Sequence, residues 1–186
     1  MLFLKTKNNR TLLISSALLI IGAGLLYAFT AFGVTRTWDG GGGDANWNTA
    51  ANWSGDTAPG VSDIATFDGT CASNCSPTVN VAISVAGINM ATGYAGTITQ
   101  STTNTITVGS SHWVQAAGTF TGGSGAITVN GTFTLSGGTF TSTSGTLTVG
   151  RYVGSNETFF TVSGGTFNHN NGTVKFVPYY NVDGGA

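Results

Sequence analysis

The chain has 186 residues, of which six are basic, seven acidic and 29 glycine, for a net charge of −1. No charged residue lies between Asp68 and Arg151. The missing basic patch excludes a nucleic-acid binder, and glycine with threonine at this density excludes long helices over most of the length. Regularly recurring Ile, Val, Leu and Phe exclude a disordered linker.

Residues 1–36 stand apart. Lys5, Lys7 and Arg10 precede an uncharged run whose centre, Leu12 to Phe32, is largely apolar. A basic flank before an apolar segment reads as an export signal, and about 20 residues also suffice to span a bilayer. A cleaved signal, with a site near Ala31-Phe32-Gly33, and an uncleaved anchor over 12–32 in the cytoplasmic membrane both fit. Either way the basic flank stays inside and the chain after about Arg36 is exported, to the extracellular space or the cell surface. The exported part keeps Arg36, Arg151 and Lys175 against seven acids, a net charge of −4.

Residues 37–70 form a Trp/Gly-rich module: Trp38-Asp39 before four glycines, then Asp44, Asn46-Trp47, Asn52-Trp53, Asp56, Pro59 and Asp63-Ile-Ala-Thr-Phe67. Large aromatics among turn formers predict irregular turns around aromatic anchors. Trp38, Trp47 and Trp53 are candidate ligand-binding residues, as a sugar-stacking platform, but capping a hydrophobic end is the plainer use of such rings. Asp39, Asp44 and Asp63, with Asn46 and Asp56 nearby, offer the hard oxygens that calcium prefers, yet their spacing fits no standard calcium loop. Asx turns explain the same residues, and no other cofactor is called for.

Residues 71–96 hold a hinge and first strands. Cys71 and Cys75 are the only cysteines, and in an oxidising compartment they predict a local disulfide pinning the loop between them. Free thiols are the alternative, since nothing nearby completes a metal site. Val79, Val81, Ile83 and Val85 alternate with polar residues as one half-buried strand would.

Residues 97–180 repeat. Gly-Thr-apolar tripeptides begin at Gly96, Gly118, Gly138 and Gly165. Thr105-Ile-Thr-Val, Ala126-Ile-Thr-Val, Thr146-Leu-Thr-Val and Thr173-Val-Lys-Phe keep nearly the same step, and so do Trp113, Phe133 and Phe160. Three markers in step predict an all-β parallel β-helix (β-solenoid) with coils of about 20 residues and three short strands each. Thr-apolar-Thr points the apolar residue inward and both threonines outward. Ladders of threonine on a flat solenoid face can bind ice. Here the Thr-x-Thr pairs fall on all three strand sets and Lys175 breaks one row, so the sequence marks no ice-binding face. The last step carries seven extra residues, about Gly150–Asn156, predicting an outward corner insertion with Arg151 and Tyr152 as candidate recognition residues. Residues 181–186 carry no recognisable cap. That points to a longer protein or to an open end used for end-to-end self-association.

The Trp38, Trp47, Trp53, Pro59, Asp63, Phe67 block resembles the module that opens many large bacterial surface proteins. Ser136–Leu147 and Ser163–Val174 are similar to autotransporter-associated β-strand repeats. The resemblance implies an exported passenger, adhesin or envelope component, with surface glycans or neighbouring cell surfaces as partners. No catalytic constellation is legible. Glycoside cleavage needs two facing carboxylates, none lies between Asp68 and Glu157, and His112 and His169 are isolated. The expected function is therefore a non-catalytic stalk or adhesin-type solenoid, with a tryptophan-based carbohydrate-binding module as the alternative.

Overall fold

The computed structural model describes residues 33–150 and 158–177. The apolar run 12–32, the insertion with Arg151 and Tyr152, and the end 178–186 lie outside them. Among the described residues no helix is long and apolar enough to cross a membrane.

The described chain is an all-β parallel solenoid. After β1 (Thr35–Thr37) the first coil comprises β2 (Ile64–Phe67), β3 (Thr78–Val79) and β4 (Ile83–Val85). The second comprises β5 (Gly87–Met90), β6 (Thr97–Gln100) and β7 (Ile106–Val108). The third has β8 (Trp113–Gln115), β9 (Thr119–Thr121) and β10 (Ile127–Val129). The fourth has β11 (Phe133–Leu135), β12 (Thr139–Thr141) and β13 (Thr146–Val149), and the fifth β14 (Phe160–Val162), β15 (Thr166–Asn168) and β16 (Thr173–Phe176). Stacking gives three parallel faces: β1-β2-β5-β8-β11-β14, β3-β6-β9-β12-β15 and β4-β7-β10-β13-β16.

Register follows the repeat. Trp113 pairs with Phe133 and Phe133 with Phe160. Ile106 pairs with Ile127 and Ile127 with Leu147. The longer step before the fifth coil appears on all three faces, as Phe133↔Phe160, Thr139↔Thr166 and Thr146↔Thr173. The extra residues therefore fall between β13 and β14, and pairing resumes in register beyond them.

Alternation fills the interior. Phe120 and Phe140 are fully buried between outward threonines, and Phe167 continues their column. Ring centroids in that column are 4.9 and 5.5 Å apart, with planes tilted by 16° and 9°. A second column stacks Phe133 on Phe160 at 5.0 Å. Between these two faces the chain turns through Ala116-Ala-Gly118, Ser136-Gly-Gly138 and Ser163-Gly-Gly165, where the last glycines adopt φ of +70°, +74° and +73°. A Cβ on Gly138 would stand 2.2 Å from the Gly118 carbonyl oxygen, so the corner requires glycine both for its handedness and for its close approach.

The solenoid begins earlier than the repeats suggest. Ile64–Phe67, expected among irregular turns, is a regular strand of the first coil. Its pairing partners lie 23 residues on, at Gly87 to Met90. The alternating run 79–85 is not one strand: β3 and β4 belong to different faces, with a corner at Asn80–Ala82. Val79, Ile83 and Val85 are all buried, because a corner that preserves the inward phase leaves the alternation unbroken.

Replacing Phe140 with alanine should destabilise the fold by about 3–5 kcal/mol in denaturant unfolding. Phe167→Ala should cost less, because its ring is only partly covered.

Candidate functional site

The tryptophan module sits at the first-coil end of the stack. β1 extends one face beyond β2, and Asn46 makes a parallel bridge to Thr78 on a second. Trp38 and Trp53 form an antiparallel bridge. Their rings meet edge to face at 5.0 Å, Trp47 meets Trp53 at 4.7 Å, and all three pack on Phe67 within 6.2 Å. Trp38, Trp47 and Trp53 are 0, 2 and 0% exposed. The stacking-platform expectation is therefore corrected: buried indoles present no face to a sugar. Two of the indole N–H groups are also committed, Trp53 Nε1 donating to the Trp47 carbonyl and Trp38 Nε1 to that of Asn74.

The acidic candidates serve the module's own backbone. Asp44 accepts from the Asn46 N–H, Asn46 Nδ2, Thr49 Oγ1 and Asn52 Nδ2 at 2.8–3.2 Å. These hydrogen bonds, the backbone one first, hold its carboxyl below the usual range. Asn52, fully buried, carries the network inward by accepting from the Gly42 N–H. Asp63 accepts from the Val34 and Gly60 N–H groups and is lowered by both, with Arg36 adding to the effect. Asp39 accepts from the Gly41 N–H in an Asx turn. Among the described residues no three His, Cys, Asp or Glu side chains gather as metal ligands; Asp39, Asp44 and Asp63 each accept from backbone N–H groups.

Cys71 and Cys75 are joined by a disulfide. The loop it closes grips the module. Ser73 Oγ donates to the Gly40 carbonyl at 2.9 Å, and Asn74 Nδ2 to those of Gly40 and Gly42. On the other side the Tyr94 hydroxyl, kept protonated by burial, donates to the Cys75 carbonyl at 2.9 Å. A cleft of about 270 Å³ opens beside the disulfide, lined by both cysteines, Asp68, Gly69, Ser76 and Tyr94 among others.

Elsewhere the structure sorts residues that the sequence leaves mixed. The second face carries two outward threonine columns. Thr97, Thr119, Thr139 and Thr166 make one, and Thr78, Thr99, Thr121 and Thr141 the other, ending at Asn168. On the first face the outward column is broken by Val114, which pairs with Thr134. On the third it is broken by Lys175, which pairs with Thr148. The Thr-x-Thr pairs do occur on all three faces, as the sequence indicates, but the second face alone stacks them as two adjoining threonine columns through coils two to four. His112 accepts from the Thr132 N–H through Nδ1, which gives it a structural task at a corner. At the fifth coil Phe159, Phe160 and Phe176 line a shallow apolar cleft, with Phe176 49% exposed.

Sequence reading missed the buried glutamines. Gln100 bridges coils by donating to the Asn104 and Gly125 carbonyls and accepting from the Gly123 N–H. Gln115 donates to the Gly118 and Thr139 carbonyls. Their only signal is an inward phase, since Gln100 follows Ile98 and Gln115 follows Trp113 by two. No protein-family model matches the chain, and no curated protein or solved structure is significantly similar to it.

Because Asp44 and Asp63 titrate lower folded than unfolded, their contribution is complete above the ordinary carboxylate range and fades as pH falls through their folded values. Acid titration should therefore lower the module's stability as pH drops below about 4. The Asp44→Asn, Asp63→Asn double variant should flatten that slope in unfolding curves collected across pH.

Proposed function

We propose that the chain is an exported, non-catalytic β-solenoid that acts at the cell surface as a stiff stalk or adhesin-type passenger. The observation that carries this reading is the continuous pairing of five coils around an apolar core, stacked phenylalanines in coils three to five, with faces covered mostly by neutral hydroxyls. Paired backbone and a packed interior leave a protease few extended segments to enter. Rigidity along the stacking axis is what a spacer between cell and target needs. The basic flank and apolar run before residue 33 support export, with residues 12–32 as a membrane tether if uncleaved. Surface glycans or neighbouring cell surfaces remain the partner class, met through features other than the tryptophans.

The test is protease shaving of intact cells that produce an epitope-tagged chain. Surface display predicts that the tag is lost from intact cells while the solenoid core survives as a resistant fragment. A tag protected until the cells are lysed contradicts it. In the same material Trp47→Ala should reduce the resistant fragment, because it removes a buried ring worth about 3–5 kcal/mol, whereas a sugar platform would lose glycan binding with folding intact.

A second reading rests on the two threonine columns. Rungs about 4.7–4.9 Å apart, with outward residues about 6.6–6.8 Å apart along each strand, form a regular uncharged hydroxyl lattice. Such a lattice suits ordered water at an ice surface. Thr121→Tyr, placed in mid-face, should abolish inhibition of ice recrystallisation and leave the unfolding midpoint nearly unchanged. Wild-type protein without any effect on ice growth removes this reading and leaves the first untouched.

A further inference from the structure

We propose that the Cys71–Cys75 disulfide is a thiol-exchange site, and that its reduction by a small neutral dithiol releases the tryptophan module from the solenoid end. Three independent observations converge on this loop. First, the bond is reachable: both cysteines are only partly buried and line the open cleft of about 270 Å³. Second, the loop is one of the module's fastenings, beside the β1–β2 pairing and the Asn46–Thr78 bridge. Two consecutive residues, Ser73 and Asn74, supply the carbonyl for Trp38 Nε1, the Ser73 hydroxyl on the Gly40 carbonyl, and the Asn74 amide on the Gly40 and Gly42 carbonyls. Third, it is anchored from the opposite side by the Tyr94 hydroxyl on the Cys75 carbonyl, so it bridges the module and the second coil. The fit is close: a Cβ on Gly40 would stand 3.2 Å from the Cys71 sulfur and nearer still to the Ser73 carbonyl oxygen.

The chemistry balances with a dithiol as reductant. One reductant thiolate attacks a cysteine sulfur, the Cys71–Cys75 bond breaks, and a mixed disulfide forms as the other cysteine leaves as thiolate and takes a proton. The second reductant thiol then displaces the remaining cysteine. Two electrons reach the cysteine pair, which ends as two thiols, and the reductant ends as its own cyclic disulfide. The cleft lining contains one carboxylate, Asp68, and no Lys or Arg, so a neutral dithiol is favoured over an anionic thiol such as glutathione. Once the bond is cut the loop regains the freedom that closure removed. Gly40, Gly42 and Trp38 then lose a rigid partner, and the cap opens before the coils do.

The test uses the full chain in detergent, treated with dithiothreitol or glutathione. It combines thiol titration, hydrogen exchange of residues 37–53, and acrylamide quenching of tryptophan emission. Dithiothreitol should free two thiols in the native protein and speed exchange over 37–53 roughly ten- to thirtyfold, as loop-closure entropy implies for so short a loop. Tryptophan quenching should rise, exchange over 127–129 and 139–141 should stay constant, and reoxidation should reverse everything. The Cys71→Ser, Cys75→Ser variant should match the reduced protein without any reductant. If the double variant does not accumulate, the wild-type reduction experiment decides alone. Two freed thiols with unchanged protection over 37–53 overturn the proposal, and so does a disulfide that yields only after global unfolding.

Discussion

One constraint governs this molecule: a coil of about 20 residues cannot fold alone. Ordering its backbone costs roughly 1–2 kcal/mol per residue, while its few inward side chains each contribute about 1.5–3 kcal/mol when fully buried. The deficit is met between coils, by parallel backbone hydrogen bonds and by rings that share faces across the stack. The Ile106 N–H donates to the Ala126 carbonyl at 3.0 Å and the Phe133 N–H to that of Phe159 at 2.8 Å, each linking a coil to the next. The rest of the design follows. Outward residues must not repel when stacked every rung, so they are threonines and serines in place of like charges. Corners must bring backbones almost into contact, so glycine holds Gly118, Gly138 and Gly165.

The same constraint explains the first-coil end. A stack needs something to cover its initial interior, and the cover cannot be another coil. Three tryptophans do it by volume, packed edge to face on one another above Phe67. Trp38 and Trp53 donate their indole N–H groups to backbone carbonyls, and Asp44 and Asn52 hold the surrounding glycine-rich turns in shape. Polar work and apolar work are thus divided within one short module. The Cys71–Cys75 loop adds side-chain ties to the backbone pairing that β1 and Ala45–Trp47 already make with the first coil.

What was legible in the sequence tracks how strictly the chain repeats. Phe120, Phe140 and Phe167 could be placed in one column because coils three to five share tight corners, and the spacing survives the seven-residue interruption. Coil one and the first strand of coil two were hidden by uneven corners: ten residues separate Phe67 from Thr78, and the step from Ile88 to Trp113 is 25. The run 79–85 misled because a corner that keeps phase looks like a straight strand. The tryptophans were recognisable as anchors, but whether their rings face solvent depends on contacts with Phe67 and Asn74 that spacing does not encode. Glutamine at an inward position was invisible for the opposite reason. Composition counts it as surface, and only the carbonyls of neighbouring coils make it a core residue.

Location, partner and the behaviour of the cap all depend on the coils being stacked in this register, and distance along the stacking axis measures that directly. Outward positions Thr37, Thr134 and Thr161 belong to one column of the first face, with Thr134 four rungs and Thr161 five rungs from Thr37. Nitroxide labels on Thr37 and Thr134, and on Thr37 and Thr161, should give narrow distributions in double electron–electron resonance. Backbone separations are expected near 19 and 24 Å, one strand spacing of about 4.8 Å apart. Broad distributions, or two pairs that fail to differ by one rung, would contradict the stacked-coil account.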